Sequence, residues 1–399
     1  MRHTSYSGTG LLGVRRGSAR YRRRIGWLPM AVVLCVWVAG CTRGPVVPVP
    51  STSVTTGTAP TPTRPSVATS SESATSSESP TGSKSATTTP VPGAVVPFRT
   101  VAQDSATGKR IGLVAASGSD PFAKAVTDSV VAQVKVAGAT LIRCDPGGNA
   151  SLVLDCARRM ATEHVDGWIA LPTGDLGESL CQVGPASVPL VVIAAAPVSC
   201  QTADLGADDR QAGFLIGRAL GQASRIRYGC AQNALVIVTN TATELVSASR
   251  VDGIRAGFTG QCPGPISDEL LLDAGTQDHA YEAFTAALTA LPDSADILVA
   301  AVNDAAALGV HAAIPDQRTD HITLAAVGAD QRARCEIFAD PHWIGDAALF
   351  PDRYGDVAVP ALLDALGGQH IPASMYVQTT FVTAKTLGDY YDAGDCPAR

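Results

Sequence analysis

Arg110-Ile-Gly-Leu-Val-Ala115, residues 121–137 and Ala139-Thr-Leu-Ile-Arg143 follow one another closely in the chain. The first and third segments are short apolar runs typical of buried β-strands, and the segment between them is long enough for an amphipathic helix. A strand, a helix and a second strand in this order predict a βαβ unit with parallel strands. Because a parallel sheet is normally covered by helices on both faces, this stretch indicates an α/β fold.

The same alternation continues along the chain. Further short apolar runs occupy residues 167–171, 188–193, 234–238, 295–300, 322–327 and 346–350. A second series that begins near residue 234 predicts two Rossmann-like lobes, each with its own parallel sheet. We expect the first lobe at about residues 109–228 and the second at about residues 232–350, with a C-terminal segment that crosses between them. Open α/β sheets bind ligands at the carboxyl ends of their strands, so the cleft between the lobes is the expected ligand site.

The N-terminus has the pattern of an export signal. An arginine-rich segment at residues 15–24 precedes an apolar run of about 16 residues, which is short for a membrane span. The run ends in Val38-Ala39-Gly40-Cys41 and resembles the signal of bacterial lipoproteins, in which the cysteine thiol takes a diacylglycerol. We expect a signal peptide at residues 1–40 and an acyl anchor on Cys41, which attaches the protein to the extracytoplasmic face of the cell membrane. A membrane span, or an ordinary cleaved signal with a chance cysteine, is the alternative.

A low-complexity segment follows. Of residues 42–95, 33 are Ser, Thr or Pro and none is aromatic, so this stretch cannot bury enough apolar surface to fold. We expect residues 41–95 to form a lipidated, disordered linker and residues 96–399 to form the folded module. A coil of this length spans roughly 40 Å.

The charge of the module excludes one class of partner. Residues 96–399 carry 20 basic and 34 acidic side chains. A nucleic-acid-binding surface is basic because it must neutralise phosphates, so we expect no nucleic-acid partner.

Eight cysteines follow Cys41, and an even number suits a disulfide framework. We expect structural disulfides between sequence neighbours, which is one of many connectivities that the number allows. None of these cysteines has the C-x-x-C spacing of a zinc or redox site, and proteins outside the cytosol retain disulfides. The eight residues are Cys144, Cys156, Cys181, Cys200, Cys230, Cys262, Cys335 and Cys396.

The chain lacks the sequence motifs of common enzymes. There is no H-E-x-x-H, no G-x-S-x-G nucleophile elbow and no phosphate-binding G-x-x-x-x-G-K-[ST] loop. His164, His311, His321 and His342 are scattered without ligand spacing. We therefore expect neither catalysis nor a metal or organic cofactor, although sequence alone leaves a glycosidase carboxylate pair open.

Several segments together resemble the type 1 periplasmic-binding-protein family. This family includes ribose and galactose binding proteins and the ligand-binding domain of lac-repressor-type regulators. Residues 111–122 resemble its opening strand and Asn-Pro-Phe loop, and residues 205–213 resemble its Gly-x-Asp-x-x-x-Ala-Gly turn. Residues 301–309 resemble its Asn-Asp-x-x-Ala-x-Gly helix start, and Val327-Gly-Ala-Asp330 resembles Val-Gly-x-Asp. Pro351-Asp-Arg-Tyr-Gly355 opens a helix in the corresponding place.

The resemblance implies five ligand-binding side chains: Asp120, Phe122, Arg250, Asn303 and Asp330. Carboxylates and amides bind sugar hydroxyls, and an aromatic ring covers the apolar face of a pyranose. Asp120 and Asn303 also suit helix N-caps, and Phe122 equally suits core packing. Arg250 lies about two residues from the usual sugar-binding position.

The chain also departs from the family pattern. Ala194-Ala195 replace an Asp-Arg pair, and Leu171 and Leu349 stand where polar residues are usual. These losses favour a ligand with fewer hydroxyl groups, or a degenerate pocket. The resemblance implies a solute-binding protein that delivers a small molecule, sugar-like or less polar, to an ATP-driven permease of the ABC type. The alternative is a surface lipoprotein of the same fold that acts as a ligand sensor or interaction protein.

Overall fold

The structure is a computed structural model and describes residues 93–115, 120–147, 149–172, 177–195, 197–266 and 268–392, together with Cys396. The expected signal peptide, Cys41 and the linker as far as residue 92 lie outside these residues. None of the helices within the described ranges is both long enough and apolar enough to cross a membrane.

The strands and helices alternate along most of the described chain. The strands are β1 Ala94–Val95, β2 Arg110–Val114, β3 Thr140–Cys144, β4 Gly167–Ala170, β5 Leu190–Ile193, β6 Ala203–Ala207, β7 Ala234–Thr239, β8 Glu269–Asp273, β9 Ile297–Ala301, β10 Ile322–Gly328, β11 Trp343–Ala348, β12 Ser374–Val377 and β13 Thr380–Val382. The helices are α1 Pro121–Val136, α2 Ala150–Thr162, α3 Gly177–Val183, α4 Asp209–Tyr228, α5 Glu244–Thr259, α6 Gln277–Ala290, α7 Asp304–Ala313, α8 Gln331–Ala339 and α9 Gly355–Leu366.

The strands form two sheets. The first has the order β1-β12-β6-β5-β4-β2-β3, and all its neighbouring strands are parallel. The second has the order β13-β11-β10-β9-β7-β8 and is parallel except for the edge strand β13. The fold is therefore α/β with two Rossmann-like lobes, as the sequence predicted.

Helices cover both faces of each sheet. Side chains of α1 and α9 pack on one face of the first sheet, and those of α2 and α3 pack on the other. On the second sheet, α4 and α5 cover one face, while α6, α7 and α8 cover the opposite face. Each large apolar side chain buried in these layers contributes about 1.5–3 kcal/mol, which makes the four layers the main source of stability.

One predicted lobe boundary differs from the packing in the structure. Helix α4 lies in the range expected for the first lobe, but Ala212, Ile216 and Leu220 pack against strands of the second sheet. Helix α9 and strand β12 lie in the C-terminal segment that was expected to cross between the lobes, and their residues Leu362 and Met375 enter the core of the first lobe. The chain therefore crosses between the lobes at three places: between β6 and α4, between β11 and α9, and between β12 and β13.

Two smaller boundaries also differ. The folded part begins before residue 96, because β1 pairs with β12. The strand predicted at residues 346–350 instead starts at Trp343. The pairing of β11 with β10 shifts register between Leu324 and Ala325, next to Gly345. This irregularity obscures the apolar pattern by which the start of the strand would be recognised.

The N-terminal segment is fixed to both lobes. Proline at position 360 has no N–H, so the carbonyl of Asp356, four residues earlier in α9, is free to accept the N–H of Arg99 at 2.8 Å. Phe98 packs against apolar clusters of both lobes and meets the ring of Phe350 edge-on, with centroids 5.6 Å apart. This segment therefore contacts both lobes where they meet.

Four disulfides link sequence neighbours, which agrees with the predicted pairing. They join Cys144 to Cys156, Cys181 to Cys200, Cys230 to Cys262 and Cys335 to Cys396. The last bond ties the C-terminal end of the chain to α8.

Helices α4 and α5 approach closely enough to require glycine. A Cβ on Gly217 would lie 2.1 Å from the carbonyl oxygen of Ile254. The close contact fixes the position of α5, which carries Arg250.

Candidate ligand-binding site

The residues that follow β2 meet the second lobe near the carboxyl end of β10. Asp120 and Phe122 follow β2 in the first lobe, and Asp330 follows β10 in the second. Phe122 packs against the core of its own lobe and also against the apolar cluster of the second lobe that contains Val327 of β10. The electrostatic effect of Asp330 on Asp120 agrees with this proximity. The structure thus brings three of the five predicted residues to one cleft.

Asp120 is the N-cap of α1. Its side chain accepts the N–H of Phe122 at 3.0 Å, which satisfies one of the free donors at the helix start. Solvent reaches the carboxylate, but the protein around it removes enough water to raise the pKa of Asp120, and the negative charge of Asp330 raises it further. Asp120 therefore combines a structural role with an accessible negative charge in the cleft.

Asp330 is the N-cap of α8 and is buried, with 6% of its surface exposed. One carboxylate oxygen accepts the N–H groups of Arg332 at 2.8 Å and Ala333 at 3.0 Å. The other carboxylate oxygen makes neither of these capping bonds.

Asn303 uses its amide within the second lobe. Its oxygen caps α7 by accepting the N–H of Ala306 at 2.7 Å, and its Nδ2 donates to the carbonyl of Gly275 at 3.1 Å. The structure therefore places Asn303 at the expected helix start, but with both polar atoms engaged by the protein.

Arg250 is likewise engaged. Its guanidinium contacts Oδ1 of Asp209 at 2.7 and 2.8 Å and donates to the carbonyl of Val302 at 2.6 Å. Burial raises the pKa of Asp209, although Arg250 acts in the opposite direction. Burial, with the negative charge of Asp209, also raises the pKa of Tyr354, whose ring meets Phe122 edge-on at 5.7 Å. These interactions connect Arg250 of the second lobe to Phe122 of the first lobe.

Two acidic residues close to Asp330 were not identified from the sequence as part of this site. Asp304, the first residue of α7, accepts the backbone N–H of Asp330 at 2.7 Å and that of Ala329 at 3.3 Å. Asp346 in β11 accepts from the indole of Trp343 at 2.8 Å and from Ala326 N–H at 3.0 Å. An aspartate inside an apolar strand was the available signal, because a buried carboxylate needs partners.

Backbone geometry makes room for this acidic pair. Gly328 has a φ of +145°, and a Cβ there would lie 2.2 Å from Oδ2 of Asp304. Three non-glycine residues with positive φ follow strands β5, β10 and β11 at the cleft edge: Ala194 at 52°, Ala329 at 59° and Phe350 at 50°. Such conformations are uncommon and cluster at functional sites.

The apolar residues that stand where the family pattern has polar ones are mostly buried in the cores of the lobes. Leu171 is 4% exposed in the core of the first lobe, and Leu349 is 2% exposed in that of the second. Ala194 is exposed after β5. These positions supply no side-chain hydrogen bond to a ligand. Residues 116–119, 173–176 and 196 lie outside the described residues.

Two surface cavities lie away from the predicted ligand residues. Surface cavities of about 130 and 360 Å³ lie beside α9 and beside α4, and none of the five predicted residues lines either of them. Among the described residues, no group of three or more His, Cys, Asp or Glu side chains is placed to hold a metal ion.

Comparison with known proteins gives structural matches only. No family model matches the sequence, and no curated protein matches it. Many solved structures do match. An ABC transporter solute-binding protein from Mycobacterium smegmatis with bound glycerol is 22% identical, with a TM-score of 0.62 over 73% of this chain and 99% of its own.

Two other matches contain a bound sugar or polyol. A periplasmic solute-binding protein from Actinobacillus succinogenes with D-allose is 15% identical, with a TM-score of 0.61 over 71% of this chain and all of its own. A Bacillus halodurans protein with myo-inositol is 16% identical, with a TM-score of 0.59 over 71% of this chain and 98% of its own. These similarities establish the architecture: the chain has the type 1 periplasmic-binding-protein fold.

Proposed function

We propose that the protein is a solute-binding protein that closes its two lobes on a small molecule at the cleft between the sheets. The observation that carries this proposal is the convergence of Asp120 from the first lobe and Asp330 from the second. A group bound between them would contact both lobes at once and would favour the closed arrangement over the open one.

The connections between the lobes support such a movement. Three short segments cross between them, and hinge closure of this type needs only a few residues to change their backbone angles. The two sheets have separate cores, so each lobe can move as a rigid body. The bound sugars and polyols of the structural neighbours support a solute of that size.

The proposal extends to location and partner. An acyl anchor on Cys41 would hold the folded module at the extracytoplasmic face of the cell membrane. The linker would let the module extend away from the membrane surface. The closed form would then deliver its solute to an ABC-type permease. These steps rest on the signal sequence and on the fold.

A screen of ligands tests the binding function. The full chain, with its disulfides intact, is mixed with sugars, polyols, nucleosides, small acids and small amines, and its melting temperature is measured. A ligand at a hundred times its Kd stabilises the folded state by about 2.7 kcal/mol. Binding by at least one compound is the expected result. If no compound in the panel raises the melting temperature, the proposed function is wrong.

Variants at Asp330 connect such a shift to the cleft. Asp330→Asn retains a capping oxygen and removes the charge, so it separates binding from helix stability. Asp320→Asn is the matched control, because Asp320 is 97% exposed and precedes β10, whereas Asp330 follows it. If Asp330→Asn retains every ligand-induced increase in melting temperature, the ligand binds elsewhere.

A sensor or interaction protein of the same fold is the second candidate. The burial of Leu171 and Leu349 in the lobe cores favours it, because these positions contribute nothing polar to a sugar site. Uptake of a ligand found in the screen separates the two functions. Cells that lack the protein should lose uptake if it serves a permease, and should retain uptake if it acts as a sensor.

A further inference from the structure

The second lobe carries an apolar groove that is separate from the ligand cleft. The groove has a volume of about 360 Å³ and lies between α4 and the strands at one edge of the second sheet, β11 and β13. Its lining includes none of the five predicted ligand residues. A partner in this groove would therefore contact the second lobe alone.

One wall of the groove is a stripe along α4. Its positions recur every three or four residues, which is the spacing of neighbours on one helix face, and the stripe extends for about three turns, or roughly 16 Å. Two alanines leave space at the middle of the stripe, and Ile226 near its end is 72% exposed. The residues of the stripe are Leu215, Arg218, Ala219, Gln222, Ala223 and Ile226.

The rest of the groove is fixed by the core of the second lobe. Leu215, Ile344 and Phe381 are partly buried and pack against the apolar cluster between α4 and the second sheet. The ring of Phe381 lies over Gly345, where a Cβ would be 2.9 Å from its Cζ atom. Because packing holds these side chains, the groove is formed before a partner arrives, and a partner loses little free energy in reorganising it.

The charged side chains around the groove are basic. Arg218 lies in the lining, and Arg225 follows it by two turns on the same side of α4. Lys385 is two residues beyond Thr383, which also lines the groove. These three basic residues are exposed, and none of them forms an ion pair or a side-chain hydrogen bond with another described residue. No acidic side chain of the described residues lines the groove.

This basic border contrasts with the charge of the module as a whole, which has 20 basic and 34 acidic side chains. Cations without partners beside an apolar surface complement a partner that presents apolar side chains flanked by carboxylates. The charge of the groove therefore indicates an acidic partner.

The shape of the groove indicates a helix. A bilayer is bound by apolar faces that enter the headgroup region, whereas this apolar surface is concave. An amphipathic helix of about three turns matches the length of the stripe and presents apolar side chains at the same three- and four-residue spacing. Ala219 and Ala223 would let such a helix approach α4 closely, because the distance between packed helices depends on the side chains at the contact.

We propose that the groove between α4 and β13 is a docking surface for an acidic amphipathic helix of another protein. The apolar face of that helix would cover Ile226 and Phe381. Its carboxylates would pair with Arg218, Arg225 and Lys385. This interaction goes beyond the proposed solute binding and does not depend on it.

Selection from a displayed peptide library tests the docking surface on the full chain. Peptides of about 15 residues, long enough to form a helix on binding, are randomised at every position so that neither charge nor periodicity is imposed. The selected peptides should be acidic, with apolar residues three and four positions apart. Calorimetry then gives their affinities.

Two variants connect these peptides to the groove. Arg218→Glu places a negative charge opposite the carboxylates and should weaken binding about fivefold or more. Ile226→Ser removes an exposed apolar contact and should weaken binding about tenfold. The matched controls are Arg159→Glu and Leu152→Ser on the exposed side of α2, and neither should change the affinity. All four positions are exposed, so each variant should keep the melting temperature of the wild type.

Other results would overturn the inference. It is wrong if the library yields no peptide whose binding is weakened by Arg218→Glu and Ile226→Ser, or if the peptides that respond are basic. A dimer of the full chain in sedimentation, dissociated by Ile226→Ser, would assign the groove to a second copy. Flotation of the Cys41→Ser chain with phosphatidylglycerol vesicles, lost on adding Arg218→Glu, would assign it to lipid. None of these results bears on ligand binding in the cleft.

Discussion

The buried carboxyl groups of Asp304, at the start of α7, and Asp346, in the middle of β11, are close enough for each to shift the pKa of the other. Two neighbouring carboxyl groups can share a hydrogen bond only when one of them carries a proton. Oδ2 of Asp346 has no hydrogen-bond donor among the described residues, so a proton held on Asp304 would give it one. Burial, reinforced by the charges of Asp346 and Asp330, raises the pKa of Asp304 well above its usual value, and burial raises that of Asp346 to about 6.

The pair makes stability depend on pH in the direction opposite to that of an ordinary ion pair. Each folded-state pKa is above its value in the unfolded chain, so the folded protein binds more protons and loses stability as the pH rises above about 4. Asp304→Asn supplies a permanent N–H donor to Asp346. We expect its free energy of unfolding to fall less steeply than that of the wild type between pH 4 and pH 8, as measured by urea denaturation.

Asp346→Asn is the control for this prediction. It leaves Asp304 as a buried carboxyl group whose ionisation still costs free energy, so no gain in stability at high pH is expected. Equal pH slopes for Asp304→Asn and the wild type would show that Asp304 does not carry the proton.

Arg250 should be important for stability as well as for the cleft. In Arg250→Met the volume is retained, but Asp209 is left as a largely buried charge, which should cost about 2–3 kcal/mol at pH 7. Because loss of Arg250 raises the pKa of Asp209 further, the deficit should grow from pH 4 to pH 7. Urea denaturation checks both expectations.

A double-mutant cycle isolates the pair. Asp209→Asn combined with Arg250→Met should recover part of the lost stability, since no unpaired charge remains. Strictly additive losses would indicate that the two residues do not interact energetically.

Gly217→Ala should destabilise the protein, although alanine favours helices over glycine by about 1 kcal/mol. The new Cβ would lie 2.1 Å from a backbone carbonyl of α5, so the two helices must separate. We expect a loss of about 2 kcal/mol or more in chemical denaturation. Gly260→Ala, whose Cβ would have its nearest neighbours at 3.4 Å, should change stability by less than about 0.5 kcal/mol. Similar effects of the two substitutions would refute the packing argument.

Cys41→Ser should abolish membrane attachment if the thiol is the acylation site. The expected result is loss of the protein from the detergent-soluble membrane fraction, together with loss of the diacylglycerol mass on the peptide that begins at residue 41. Cys35→Ser is the control, because Cys35 lies in the preceding apolar run and should not be needed. An unchanged membrane fraction in Cys41→Ser would exclude this anchor.

The local apolar pattern predicts several strands closely, whereas β1, β6, β8, β12 and β13 were not predicted. The runs at residues 110–115 and 139–143 correspond to β2 and β3 within about one residue, and the intervening segment corresponds to α1. β2 is buried along most of its length, so its apolar character is continuous and easily read, whereas the edge strand β3 is only partly buried. The cysteine pairing also follows from proximity along the chain.

Longer-range relationships were not readable from the sequence. The apolar face of α4 shows that the helix packs on a sheet, but it does not show which one. The proximity of Asp304 and Asp346 depends on β10 and β11 being neighbours and on the space left by Gly328. The cap roles of Asp120 and Asn303 were predicted from their positions, whereas the cap role of Asp330 and the engagement of Arg250 by Asp209 were not.

The three crossings between the lobes also set an order for folding. Met375 of β12 belongs to the core of the first lobe, so that sheet lacks a strand until nearly the whole chain is present. If the chain emerges from its N-terminus onward, neither lobe can complete its sheet before the C-terminal residues arrive, because β13 closes the second sheet only at residues 380–382. Truncation near residue 370 should therefore leave two incomplete lobes rather than one intact lobe and one missing one.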